Sequence, residues 1–243
     1  MIIEKHTCIC CKSENIRKNG PDSFNGKQKY HCLNCNRYGT LNAEPKHSFV
    51  RKKEILDAYF ERPSMRGIER IFKVSRQTLA TWLIELGKKE ELKDLKASLN
   101  DVPYNDTLEL DELCSFVQKK KNKKWLWTAI SRSNRKIVAF YIGDHSEKSC
   151  LELWLRVPTW LKNGLTFSDF WKPYEKIITS LKHVSVGKNA GETNHMERWN
   201  NTLRQWLGKY TRKTLSFSKS EQFHELVTRL FIIKYNLSKS VPI

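Results

Sequence analysis

Four cysteines constrain this chain more than any other feature. Cys8-x-x-Cys11 and Cys32-x-x-Cys35 are separated by twenty residues, the spacing at which two tight turns each offer a pair of thiolates to one tetrahedral metal ion. Asn19-Gly-Pro and Asn25-Gly lie between the pairs and supply the turn chemistry that returns the chain as a hairpin. A module of about forty residues buries too little surface to fold alone, so a structural zinc held by Cys8, Cys11, Cys32 and Cys35, one per chain, is the expectation. Cys10 has the wrong interval for a knuckle, and His31 is a weaker ligand candidate than the four thiols. The total of 7 cysteines is odd, which fits a disulfide framework poorly and a reducing compartment well.

The remaining length bounds the architecture. With 243 residues, 39% of them hydrophobic and including 8 Trp and 11 Phe, the chain has material for a true core and space for a small module beside a medium domain. No apolar run approaches the roughly 18–20 residues that cross a bilayer. The opening Met-Ile-Ile-Glu-Lys-His lacks the apolar centre of a signal peptide. A soluble, cytoplasmic protein with no membrane partner is the expectation. The formal charge is +18, distributed as +8 over residues 1–88, −2 over 89–107 and +12 over 108–243. Two basic regions flanking a mildly acidic joint call for a polyanionic partner, with double-stranded DNA the leading candidate. The reading is a zinc-binding module over 1–45, a helix-turn-helix over 46–88, a linker over 89–107 and an α/β domain with a C-terminal helix over 108–243.

Three short helices are predicted after Val50. Ile55, Leu56 and Phe60, then Ile68, Ile71 and Phe72, then Leu79, Trp82, Leu83 and Leu86 recur at helical spacing and can close one small core. Ser64 and Ser75 are N-cap residues by type. Ser75 starts the third helix so that Arg76, Gln77, Thr78 and Thr81 lie at its beginning and outer face, the end that enters a major groove in helix-turn-helix proteins. The alternative is an ordinary three-helix unit with solvated polar residues.

Beyond the linker, Thr107–Val117, Lys124–Ser131 and Lys136–Gly143 predict three antiparallel strands. A helix over Ser146–Val157, a strand over Gly164–Phe170, a helix over Thr193–Leu207 and a last helix over about Lys219–Tyr235 follow. This order is compatible with a ribonuclease H-like α/β domain, and with other mixed folds. Asp111 falls on the first strand, Asp169 at the end of the fourth and Glu197 on the next helix. Hard carboxylate oxygens in such positions suit two magnesium or manganese ions and phosphodiester chemistry. Glu112, Asp144, Glu175 and Glu192 are rivals. Asn194, Arg198, Asn201 and Arg204 surround Glu197 on neighbouring helical faces, and Arg198 and Arg204 are candidates for the DNA backbone. His195 is open between proton relay, packing and phosphate contact. Trp199 and Trp206 read as core, Cys114 and Cys150 as core thiols, and the Lys119–Lys124 cluster as a basic hairpin turn open between solvation and DNA contact.

The segments Leu110-Asp-Glu-Leu, Ser168-Asp-Phe-Trp-Lys-Pro-Tyr-Glu, Asn194-His-Met-Glu-Arg-Trp-Asn-Asn-Thr-Leu-Arg-Gln and Lys213-Thr-Leu-Ser-Phe-Ser-Lys-Ser resemble the transposases of the bacterial insertion sequence one family. With the N-terminal cysteines and the Val74-Ser-Arg-Gln-Thr segment, the resemblance covers nearly the whole chain. It implies a ribonuclease H-like domain with an Asp-Asp-Glu triad at Asp111, Asp169 and Glu197. The context Glu-Arg-Trp-Asn-Asn-Thr-Leu-Arg-Gln selects Glu197 over Glu192. The resemblance further implies recognition of the element's terminal inverted repeats, 3′-end cleavage, strand transfer into target DNA, and a homodimer or higher oligomer to join two ends. A DNA-binding repressor and a metal-dependent nuclease without strand transfer are the competing functions.

Overall fold

In the computed structural model, residues 6–23, 26–41, 47–89, 95–178, 182–187 and 190–239 are described. Asn25 of the expected turn and residues 90–94 of the expected linker lie outside them. The chain divides into two compact units, Met1–Lys52 and Lys53–Ile243.

The first unit is built on β1 (Ile16–Pro21), β2 (Gln28–Cys32) and β3 (Tyr38–Gly39), an antiparallel sheet in that order. Ile16 pairs with Cys32 and Tyr30 with Gly39. Each cysteine pair sits on a turn followed by a left-handed residue, Lys12 after Cys11 (φ 60°) and Asn36 after Cys35 (φ 56°). The Lys12 amide bonds the Cys8 carbonyl at 2.9 Å, and the Cys32 amide bonds that of Arg37 at 2.9 Å. Two similar knuckles thus face each other across the sheet's end.

In the second unit, α1 (Phe49–Tyr59, entering from the first unit), α2 (Met65–Phe72) and α3 (Arg76–Leu86) follow the predicted pattern. Ser64 and Ser75 accept the amides of Gly67 and Thr78 at 3.1 Å, which satisfies donors at each helix start that have no intrahelical partner. Ile55, Leu56, Phe60, Ile68, Leu79 and Leu83 are buried as expected. Ile71 is not: it is 65% exposed, because α2 stops at Phe72 and it is Phe72, one residue on, that packs against the core.

A five-stranded sheet forms the centre, in the order β6 (Ile137–Gly143), β5 (Lys123–Ser131), β4 (Leu108–Phe116), β7 (Thr166–Ser168), β8 (His183–Ser185). β4, β5 and β6 pair antiparallel, whereas β4, β7 and β8 are parallel. That order and orientation are those of a ribonuclease H-like fold. Strand alternation sorts the core into two layers. Leu113, Leu126 and Ile130 pack with α6 (Asn194–Trp206), α7 (Glu221–Lys239) and the apolar residues of α1–α3. On the other face Leu108, Leu110, Trp127 and Ala129 pack with α4 (Glu147–Arg156) and α5 (Lys172–Ile177). The described part of the expected linker is packed as well, with Leu99 and Val102 buried and Lys136 Nζ donating to the Ser98 carbonyl at 2.9 Å. Cys150 is buried, but Cys114 is exposed. It lies one pleat beyond Glu112, whose carboxylate Tyr174 of α5 holds, and has no such cover.

Candidate active site

The site arises where β4 outruns its neighbour. β7 pairs with β4 only at Leu108 and Glu109 and ends at Ser168, so a cleft opens beside β4 from Asp111 onward. Crevices at the carboxyl ends of parallel strands are the usual ligand position in α/β sheets. The oxygens of Asp111, Glu112 and Asp169 lie within 4.8 Å of one another in it. Residues 58 apart in sequence meet there. Glu112 was only one of several rivals by sequence. Its carboxylate accepts the Tyr174 hydroxyl at 2.8 Å and faces His145 Nε2 at 3.2 Å. The His145 ring stacks on Trp125 with centroids 4.1 Å apart.

Asp111 accepts Asn200 Nδ2 at 2.7 Å from α6. Its carboxyl is pushed up to about 7, mainly by burial and then by the Glu112 charge; the Glu112 amide opposes this, and Asp169 and Glu197 add to it. Asp169 accepts the Trp171 amide at 3.1 Å. Glu197 lies in the first turn of α6, exposed. It is outside the group of three close carboxylates, and its side chain has no hydrogen-bond or ion-pair partner among the described residues. The other three rival acids have partners elsewhere. Glu192 pairs with Arg132 at 2.8 Å, Glu175 accepts Ser185 Oγ at 3.1 Å, and Asp144 accepts Ser149 Oγ at 2.6 Å near the start of α4.

Sequence reading missed Glu109, the residue that seats α6. Fully buried on the Asp111 face of β4, it accepts the amides of His195 and Met196 at 3.0 Å each. It also meets His195 Nδ1 at 2.6 Å and Arg132 Nε at 2.9 Å. A carboxylate is well matched to unpaired amides at a helix N-terminus. The available signal was the period of two along β4, which puts Glu109 on the face of Asp111. Asn200 was equally legible at helical spacing from Glu197.

The residues fit divalent cations. Burial first, and then the crowding of carboxylates, disfavour ionisation of Asp111, and a hard cation bound there would offset both. Asn200 Oδ1, buried without a partner beside Asp111, is a further oxygen donor left over. At the other end of the chain, Cys8 and Cys35 sulfurs are 3.7 Å apart and Cys11 and Cys32 sulfurs 3.5 Å apart. All four lie within 4.8 Å of one another. Four ligands at about 2.3 Å from one zinc stand about 3.8 Å apart, so the cluster can hold that ion. Cys8 is pulled down to about 6, chiefly by the Cys11 amide. Cys35 is raised to about 12: the Arg37 amide lowers it, but burial and the Cys11, Cys32 and Cys8 sulfurs outweigh that.

Of the expected DNA-contacting residues, Arg76, Gln77, Thr81 and Arg198 are exposed. Arg76 Nε is already paired with Glu69 at 3.0 Å, and Thr78 bonds Ser75 Oγ at 2.9 Å in the helix cap. Arg204 is half-buried near the acidic cleft: burial and then Arg212 lower its pKa, whereas Asp111 raises it. Trp199 is core, and Trp206 packs edge-on against Phe231 at 6.0 Å. Within the Lys119–Lys124 turn, Lys124 pairs with Glu221 at 2.9 Å.

The strand order and the acidic cleft define an α/β protein of ribonuclease H-like fold with a carboxylate site suited to divalent cations. The family model described as IS1 transposase matches residues 107–237, more than half of the chain. The insertion element iso-IS1n protein InsB of Shigella dysenteriae is 37% identical over 127 residues, 52% of this chain and 94% of that protein. The insertion element IS1 protein InsB of Shigella flexneri is 34% identical over 119 residues, 49% of this chain and 88% of that protein. Among solved structures, a simian T-cell lymphotropic virus intasome in complex with PP2A regulatory subunit B56 gamma matches with a TM-score of 0.40 and 13% identity, over 73% of this chain and 67% of that one. The chain belongs to the IS1 transposase family. Among the described residues no helix is long and apolar enough to cross a membrane.

Proposed function

We propose that this protein binds the terminal inverted repeats of its element, cleaves their 3′ ends and transfers them to target DNA, acting as a homodimer or higher oligomer. The observation that carries the reading is the meeting of Asp111 and Asp169 in one cleft, with Glu197 exposed on the adjoining helix, in a member of a transposase family. Asp111, Asp169 and Glu197 hold two magnesium or manganese ions in this reading. Ions held there would supply Lewis-acid activation of the attacking hydroxyl and charge neutralisation at the leaving oxygen of an in-line displacement. Asp111 and Asp169 are held at rest by Asn200 and the Trp171 amide, and Glu197 completes the set from an exposed position. Arg198 and Arg204 grip flanking phosphates, neutralising charge that acidic side chains would otherwise repel. No Ser or Tyr nucleophile is assigned, because the chemistry needs no covalent intermediate.

Recognition is assigned to the N-terminal third. Cys8, Cys11, Cys32 and Cys35 bind one structural zinc. Gln77 and Thr81 contact the major groove from α3 with Arg76, which exchanges Glu69 for DNA, and Thr78 supports the helix start. The test incubates labelled element-end DNA with magnesium and either wild-type protein or Glu197→Gln. Nicking and end joining by the wild type, lost by at least 100-fold in the variant with end binding retained, is the expected result. Undiminished cleavage by Glu197→Gln refutes its role. Binding without cleavage by either protein favours the repressor function.

A further inference from the structure

We infer that Arg132 and Glu109 form a positioning device that sets the three acidic elements at working distance without touching DNA, an inference that rests on the proposed chemistry of the Asp111 cleft. Arg132 follows β5, and its guanidinium reaches all three elements that carry the carboxylates. Nε meets Glu109 at 2.9 Å on β4, two residues before Asp111. The guanidinium lies 4.6 Å over the Phe167 ring on β7, two residues before Asp169. Nη1 meets Glu192 Oε2 at 2.8 Å, and Nη2 bonds the Glu192 carbonyl, in the turn that leads into α6. Glu109 closes the circuit by holding the His195 amide, two residues before Glu197.

The chemistry of these groups suits the task. A planar guanidinium offers five donors in a fixed fork and a flat face that stacks on an aromatic ring, whereas an ammonium is a point charge with three freely rotating donors. Glu109 has no exposure, and its two oxygens together take two amides, an imidazole and the guanidinium, so little freedom remains at the α6 N-terminus. Glu197 is exposed and has no hydrogen-bond or ion-pair partner among the described residues, so the position of its carboxylate relative to Asp111 depends on how α6 is seated. Divalent cations, magnesium above all, demand ligand placement within a few tenths of an ångström. An element anchored two residues away from each ligand is the means by which this chain supplies that placement.

The test uses full-length, zinc-loaded protein and the variants Arg132→Lys and Glu109→Gln. Manganese binding is followed by the electron paramagnetic resonance of free Mn(II), and end binding is measured without divalent metal. Cleavage is measured across magnesium concentrations. Both variants are expected to bind manganese at least tenfold more weakly and to need correspondingly more magnesium for cleavage, with metal-free end binding within twofold of wild type. Arg132→Lys keeps the charge and loses the fork; Glu109→Gln keeps one acceptor oxygen for the α6 amides, puts an NH2 donor where the guanidinium was accepted, and loses the ionic partner. Wild-type metal binding in either folded variant overturns the inference. Parallel loss of end binding and metal binding in both assigns the network to stability alone and overturns it too. If the wild-type protein fails to cleave while the variants still lose manganese affinity, the proposed function falls and the positioning role stands.

Discussion

Asp111 shows how a single carboxyl registers its surroundings. Its native pKa of about 7 exceeds the value of an exposed Asp, 3.8, so between those limits the folded state binds more protons than the unfolded state. Stability attributable to this group therefore falls as pH rises from about 4 to 7 and stays low above. Asp111→Asn in metal-free protein is expected to raise stability at pH 8 by roughly 1–3 kcal/mol, a gap that closes near pH 4. Urea unfolding at the two pH values measures it, and an equal effect at both would contradict the origin assigned here. Magnesium should stabilise wild type at pH 8 more than Asp111→Asn. The identity of Asp111 as a candidate was readable from its strand context. Its protonation was not, because the burial that chiefly raises its pKa is supplied by packing between distant segments, to which the neighbouring Glu112 charge and then Asp169 and Glu197 add.

Among the elements, α7 carries several buried polar contacts. His224 bonds Ser115 Oγ at 3.1 Å, Ser218 Oγ at 3.1 Å and the Tyr210 hydroxyl at 3.2 Å, joining β4 to the segment between α6 and α7. Its pKa drops to about 3, through burial and then the charges of Lys209 and Lys124. The unfolded His224 protonates near 6.5, so acid favours unfolding: stability is complete above pH 6.5 and declines as pH falls toward 3. Wild type is expected to lose about 2–3 kcal/mol through this residue between pH 7 and pH 4. His224→Gln should be less stable at pH 7 yet show a flatter acid limb in denaturant titrations. Elements with strong local patterns were legible in the sequence: β4 to β6, α1 to α4, and the capped starts at Ser64 and Ser75. The helix α5, with six residues, and β8, with three, were not anticipated, since so short a span shows no periodicity.

For the whole molecule, charge and metal define the behaviour to be measured. With a net charge of +18, the proposed DNA binding is expected to be strongly salt-dependent, as counterions leave the DNA when phosphates are neutralised. A chelator is expected to release about one zinc per chain and to unfold the cysteine module while the transition of the Lys53–Ile243 unit persists. Calorimetry with zinc analysis checks this, and protein purified without zinc would refute the assignment.

What the sequence determined by itself is what depends on near neighbours. Cysteine spacing defined one candidate metal cluster, serines marked helix starts, alternation sorted β4 to β6 into two faces, and short motifs marked Asp111, Asp169 and Glu197. Tertiary structure decided which acids meet, because the parallel pairing of β4 with β7 joins segments with no shared local pattern. It also turned Ile71 and Cys114 outward, tied Glu192 to Arg132 and left Glu197 exposed. Those outcomes come from long-range packing, in which each residue's environment is supplied by chain far removed from it in sequence.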